Sequence, residues 1–336
     1  MLIKKILQDR KCLICIINHA LMITTRKEDV SGSCSSGALG RRLILQPLGG
    51  VESLKLFCSR AFHNSLDHKC PPELEAVATA VVERCRGLPL AIVSSGSLLS
   101  TKQPTEHAWN QVYNHIQSEL RGNNHVQALL NLSYHDLPGD LRNCFMYCSL
   151  FREDYEMSRE SLVRLWVAEG FAMKKDSSTP EEVAEGNLME LIGRNMLEVV
   201  ERDELLRVSK CKMHDIVRDL ALAVAKEERF GSANDQGEMM LMDKEVRRFS
   251  TRCWRDSNTA AGVEFPRLRT VISLAADSSS TNMFSSVLSG SSYLTVLELQ
   301  ESRLWDQPSA SIHWESLQSP LHRLEAHQSS VTARYY

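Results

Sequence analysis

The order of start and stop signals between residues 158 and 226 leaves this chain few folds to choose from. Ser158 stands before a helix whose Leu162, Leu165 and Trp166 share a face, and Gly170 follows as its stop. Thr179-Pro180-Glu181-Glu182 then combines an N-cap, a proline at the first helical position and a capping-box glutamate. The helix it opens is expected to bury Val183 or Ala184, Leu188, Leu191 and Ile192. Two short apolar runs, 197–200 and 205–208, flank the charged Glu201-Arg202-Asp203-Glu204 and read as a hairpin. Beyond it, Ile216, Val217, Leu220, Ala221 and Val224 fall on one helical face. Helix, helix, hairpin, helix is a winged-helix order, and it is assigned to residues 129–228.

The preceding segment is helical by the same test. Leu74, Val77, Ala78, Val81, Val82 and Cys85 recur at the spacing of a single buried stripe. Gly87 is placed to end that helix in a left-handed conformation, and Pro89 prevents its resumption. A second helix over 90–99 and a third around Trp109, Val112 and Ile116 make residues 45–128 a helical bundle. Residues 1–44 offer two buried-strand candidates, 13–17 and 21–25, too little for a complete domain. The fold class is therefore mainly α.

Residues 229–336 are expected to be a linker and the start of a leucine-rich-repeat region. Leu294-Thr295-Val296-Leu297-Glu298-Leu299 matches the LxxLxL repeat core, with Leu268-Arg269-Thr270-Val271 as a poorer preceding turn. Two imperfect repeats fall short of the roughly three needed to bury a solenoid face. After Pro320 neither periodicity nor turn chemistry is evident, and a disordered tail is expected.

Charge excludes some partners. A formal net charge of −3 gives no electrostatic reason to expect nucleic acid or an anionic membrane as partner, and no stretch approaches the apolar length needed for insertion across a bilayer. The helix before the hairpin carries Glu181, Glu182, Glu185 and Glu190 against Arg194, so a DNA-reading winged helix is disfavoured. The one CxxC, Cys12-Leu13-Ile14-Cys15, has no second pair to complete a zinc site, and Cys144 and Cys148 share a helix face without further ligands. No metal site is expected, and the ten cysteines read as reduced thiols of a cytoplasmic protein.

Met213-His214-Asp215 sits where the hairpin meets the last helix. Asp215 is expected at or near that helix's first turn, where a carboxylate complements the positive end of the dipole. His214 is left pointing outward, able to donate a hydrogen bond to an anion. Taken alone, an exposed histidine beside a helix start can be incidental.

Its company is more specific. Together with Gly87-Leu88-Pro89-Leu90, Ile23-Thr24-Thr25-Arg26, the segment 143–151 (NCFMYCSLF) and the segment 165–171 (LWVAEGF), the chain resembles the plant intracellular nucleotide-binding, leucine-rich-repeat disease-resistance receptors of the coiled-coil subgroup. The resemblance implies that residues 1–44 are the remnant of a P-loop α/β domain, and that bundle and winged helix close over ADP to hold the receptor off until ATP replaces it. By that resemblance Pro89 packs against adenine, with Gly87, Leu88 and Leu90 shaping its turn. His214, between Met213 and Asp215, contacts the β-phosphate, and Arg26 senses the γ-phosphate of ATP. Each residue also has a plainer account: Pro89 as a helix stop, Arg26 as a solvated strand-end charge, Asp215 as a helix-start residue, Trp166 and Phe171 as core.

The chain departs from the family pattern in carrying no GxxxxGK[ST] stretch and no paired aspartates after its first strand. It is therefore expected not to be an enzyme, to bind ADP or ATP weakly or not at all, and to represent a truncated receptor or a mispredicted gene product. The alternative is an interaction or decoy fragment that docks on full-length receptors. Other immune-receptor domains or host proteins are its expected partners. Its expected place is the cytoplasm, with peripheral association at the plasma membrane left open.

Overall fold

The computed structural model describes residues 12–17, 20–25, 32, 42–119, 125–173, 177–234, 245–251, 265–273, 291, 293–299, 322–327 and 330–335. The chain divides into two units, Met1–Pro47 and Leu48–Tyr336. In the first, β1 (Cys12–Ile17) and β2 (Ala20–Thr25) pair antiparallel, with Ile17 opposite Ala20 and Cys12 opposite Thr25. This corrects the expectation of an α/β remnant, whose strands run parallel. Only Asn18 and His19 separate the strands, whereas a parallel crossover needs a dozen or more residues.

The second unit begins with α1 (Gly50–Ala61), a helix the sequence reading missed. A one-turn 3-10 segment (Pro72–Leu74) leads into α2 (Glu75–Arg84), followed by α3 (Pro89–Ser100), α4 (Glu106–Glu119) and α5 (His125–His135). All six members of the predicted stripe, from Leu74 to Cys85, are buried. They pack with Phe57, Ile92, Trp109, Ile116 and Leu129 into one core. Trp109 stacks on Phe62 at 5.5 Å and meets Phe57 edge-on at 5.9 Å.

A second core begins one residue further along α5, at Leu130. Its elements are α6 (Gly139–Cys148), the two-residue β3 (Met157–Ser158), α7 (Arg159–Ala168), α8 (Pro180–Gly193), β4 (Glu198–Arg202), β5 (Val208–Lys212) and α9 (Asp215–Glu227). The strands form a sheet of order β3-β5-β4, and the helices pack Phe145, Tyr147, Trp166, Leu188, Leu191 and Val217 beneath it. Ser158 Oγ accepts from Ser161 N at 3.1 Å. Thr179 and Glu182 form a reciprocal capping box. Of the alternatives for α8, Ala184 is buried and Val183 only partly so.

The hairpin is shifted from its expected position. Asp203 Oδ1 accepts from Leu205 N at 3.0 Å and from Arg207 N at 2.9 Å, and Leu206 turns through φ 60. The carboxylate thus draws residues 203–207 into the turn, and Leu205 and Leu206 end up exposed rather than in a strand.

Past α9 the chain lays down β6 (Ser232–Asn234), β7 (Arg248–Thr251), β8 (Thr270–Ser273) and β9 (Val296–Leu299) as neighbouring parallel strands. Phe249 stands beside Val271, and Val271 beside Leu297. Two such turns were foreseen, at 268–271 and 294–299. The other two strands are short and rich in serine and threonine, a composition that reads as loop. The stretch after Pro320, expected to be disordered, contributes β10 (His322–His327) and β11 (Ser330–Tyr335), which close the sheet beyond β9 in antiparallel sense. Their register sets Leu324 opposite Ala333 and Ala326 opposite Val331, a two-residue apolar alternation in the sequence.

Buried charge joins this sheet to the winged helix. Arg248 at the start of β7 donates through Nε and Nη2 to Glu169 Oε2, both at 2.9 Å. Its guanidinium lies over the rings of Phe230 at 4.2 Å and Phe171 at 4.9 Å. Thr270 Oγ1 donates to the other oxygen of Glu169.

Candidate functional site

Two of the sequence motifs are placed at helix starts. The first is the turn from α2 into α3. Arg86 and Gly87 both take left-handed φ, 51 and 68, which frees the chain from α2 and reverses it. Gly87 O accepts from Leu48 N at 2.9 Å, and Leu88 N donates to Cys85 O at 3.0 Å. Pro89 occupies the first turn of α3, where its missing N–H costs nothing, and its ring is exposed. It starts a helix rather than merely stopping one. Leu88 is exposed and Leu90 half-buried. Beside this turn lies a cleft of about 440 Å³, lined by Leu48, Val51, Ser53, Thr79, Glu83 and Gly87 among others. Neither Pro89 nor His214 lines it.

The second motif opens α9. Met213 is buried, while His214 and Asp215 are half-buried. His214, not Asp215, is the N-cap: its backbone is extended at φ −64, ψ 142, and its Nδ1 accepts from Ile216 N at 3.3 Å. Asp215 is the first helical residue, beside the positive end of the dipole as expected. Because Nδ1 accepts, the neutral ring carries its proton on Nε2. A histidine cap was not foreseen, since serine, threonine and aspartate dominate that position. Arg26 lies outside the described residues.

The sequence reading also missed what joins the two cores. Asp136, just beyond α5, accepts from Lys102 at the end of α3 and, through Oδ2, from Arg194 at 3.0 Å. Arg194 is 12% exposed and also holds Glu190 at 2.9 Å. Arg60 of α1 donates to Asn195 Oδ1 at 3.4 Å. No signal pointed to it, because charges so distant in sequence show no pattern.

The thiols of the second core are inert by burial. Loss of water pushes Cys144 and Cys211 up to about 12, and Cys148 well above its ordinary value. They therefore stay protonated and act as small apolar groups, with Cys144 Sγ accepting from Asn187 Nδ2 at 3.7 Å.

Residues 150–221, which run from just past α6 through the first half of α9, match the family model described as the disease resistance protein winged helix domain. The chain is similar to plant disease resistance proteins. It is 36% identical over 218 residues to disease resistance protein RPM1 of Arabidopsis thaliana, which covers 64% of this chain and 23% of that protein. With the disease resistance RPP13-like protein 4 of the same plant it shares 36% over 220 residues, 63% of the chain and 25% of the relative. Disease resistance protein RGA5 of Oryza sativa subsp. japonica is 30% identical over 258 residues, 75% and 23% of the two chains. The chain thus spans about a quarter of the length of the curated relatives it matches. No helix among the described residues is long and apolar enough to cross a membrane.

Proposed function

We propose that this chain belongs to the regulatory part of an ADP/ATP-switched plant immune receptor, with bundle and winged helix as the two bodies whose relative position the nucleotide reports. The observation that supports this most is the placement of His214: an imidazole that caps a helix start through Nδ1, which puts the proton of the neutral ring on Nε2, in a domain matched to disease resistance proteins. The exposed ring of Pro89 suits the wall of an adenine site, and the cleft beside Gly87 offers adjoining space. The charges shared at Asp136 between the two cores suit a joint that can be remade when one body rotates. The intervals between Phe249, Val271 and Leu297 fall in the ~20–29-residue range of leucine-rich repeats, which supports reading the parallel ladder as the first turns of a repeat array.

The reaction class is binding, not hydrolysis, and the chain's own share of nucleotide affinity is small. A P-loop supplies several backbone donors and a lysine, and no GxxxxGK[ST] stretch occurs among the 336 residues. Losing several charge-assisted hydrogen bonds at ~1.5–3 kcal/mol apiece lowers a tight affinity to the millimolar range. Calorimetric titration of the chain with ADP should therefore show weak binding or none. Micromolar binding abolished by His214→Ala would place the affinity in these two domains instead. The second reading, a fragment that docks on full-length receptors, draws on the same missing loop. Co-purification with a full-length relative, unaffected by His214→Ala, would favour it.

A further inference from the structure

Three elements of the bundle converge on the bridge at Asp136 and leave a cleft beside it. On α4, Ala108, Gln111, Val112 and His115 recur at three- and four-residue spacing and form one face, while Trp109 and Ile116 are buried in the bundle core. The end of α5 supplies Leu132, with His135 and Asp136 following at the same spacing. Leu98 comes from α3, and Lys102 and Gln103 lie just beyond it. The space between them is about 410 Å³, within the ~300–1,000 Å³ of small-molecule sites.

The lining is divided in character. Leu98 is buried, Val112 and Leu132 are partly buried against the bundle core, and with Ala108 they make an apolar floor. Around that floor stand nitrogen groups able to donate: Lys102 Nζ, the amides of Gln103 and Gln111, and the imidazoles of His115 and His135. The one carboxylate among the lining residues, Asp136, has both oxygens engaged, Oδ1 by Lys102 and Oδ2 by Arg194 at 3.0 Å. Two cations thus meet one carboxylate, and they are unequally held. Lys102 is 31% exposed and Arg194 12%, so Lys102 can leave without stranding Asp136, which keeps its more buried partner. An ammonium carries three N–H groups, and Asp136 takes one of those of Lys102. A ligand that matches this division has an apolar body and an anionic head. With Asp136 close behind it, a single ammonium suits the one negative charge of a carboxylate better than the ~1.5–2 of a phosphate.

We propose that this cleft binds a small carboxylate with an apolar body, whose head takes Lys102 from Asp136 and so slackens the bridge between bundle and winged helix. The body covers Leu98, Val112 and Leu132, and the amides and imidazoles at the rim supply the head's remaining hydrogen bonds. When Lys102 turns to the ligand, the chain of charges from α3 through Asp136 to Arg194 beyond α8 loses its first link. The consequence for a nucleotide switch rests on the function proposed above; the binding does not.

Calorimetric titration of the full chain with naphthoate, a two-ring aromatic carboxylate, tests this without nucleotide, so its failure is distinct from failure of the nucleotide reading. Naphthamide, of the same shape and without charge, is the control. Naphthoate is expected to saturate the chain and to bind at least about tenfold tighter than naphthamide. Lys102→Met, which keeps an apolar stem and removes the ammonium, should weaken naphthoate by about tenfold and leave naphthamide unchanged. Asp136→Asn should tighten naphthoate, because a group that the ligand displaces also opposes the ligand. Ala108→Leu fills part of the floor and should weaken both compounds. In nuclear magnetic resonance, the Arg194 Nε–H signal should shift on adding naphthoate and stay in place with naphthamide. Equal affinity for the two compounds, naphthoate binding indifferent to Lys102→Met, or no saturation into the millimolar range overturns the site. An unmoved Arg194 signal, or weaker naphthoate binding in Asp136→Asn, overturns its link to the bridge.

Discussion

In the winged helix, three helices begin on a side-chain clasp: Ser158 for α7, Thr179 with Glu182 for α8, His214 for α9. In the bundle, the N-caps of α1, α2 and α3 are Gly49, Leu74 and Leu88, and none supplies a capping hydrogen bond. What these three helices have instead is close approach. The run Ser94-Ser95-Gly96-Ser97 is buried on α3, and a Cβ at Gly96 would lie 2.9 Å from Arg60 Cβ and 3.0 Å from Phe57 O of α1. Ser95 Oγ folds back onto Ala91 O at 2.7 Å, while the hydroxyls of Ser94 and Ser97 have no partner among the described residues. Caps fix where a helix starts and are local. Small-residue contact fixes how two helices lie together and depends on both. The first kind of order survives a change of neighbours; the second is that change.

The comparison can be broken or sharpened by substitution. The largest effect is expected where neither device operates, at the buried ion pair joining winged helix to ladder. Glu169→Ala leaves Arg248 uncompensated and should cost ~3–5 kcal/mol in chemical denaturation. A loss below ~1 kcal/mol would mean that water already reaches the pair. Gly96→Val comes next, at ~1–3 kcal/mol, because backbone and Cβ atoms of α1 must give way. The Trp109 fluorescence environment should change more than that of Trp166, since each indole lies in a different core. Equal changes would show that the cores respond as one. Thr179→Ala should cost ~1 kcal/mol, the worth of one cap. Hydrogen exchange should then rise in the first turn of α8 only. The smallest effect has the opposite sign: Leu206→Gly relieves a left-handed residue at the exposed wing tip and should stabilise by up to ~1 kcal/mol.

What could be read from the sequence follows the same division. The capping box of α8, the stop at Gly170 and the stripe on α2 were legible because each is written within a few adjacent residues. Helix α1 was missed although Leu54, Phe57, Cys58 and Ala61 carry its stripe; it opens on Gly49-Gly50 without a cap, and its Val51 is exposed. The parallel ladder was half legible, since Ser250 and Thr251 are buried there but read as loop residues. Of the candidate site, the location of His214 at a helix start was legible and its role as the cap was not, because imidazole is a rare cap. The bridge at Asp136 was not legible at all. Lys102, Asp136 and Arg194 become neighbours only when two cores have packed.

The arginine lying over the rings of Phe171 and Phe230 also makes a reporter of the molecule. Trypsin cuts after arginine, but the bond following Arg248 lies within β7, and the side chain the protease must grasp is 8% exposed. That peptide bond stays intact for as long as the parallel strands remain seated on the winged helix. Its cleavage rate in the native chain is therefore a clock for their separation, readable by mass without a label, and insensitive to events confined to the bundle.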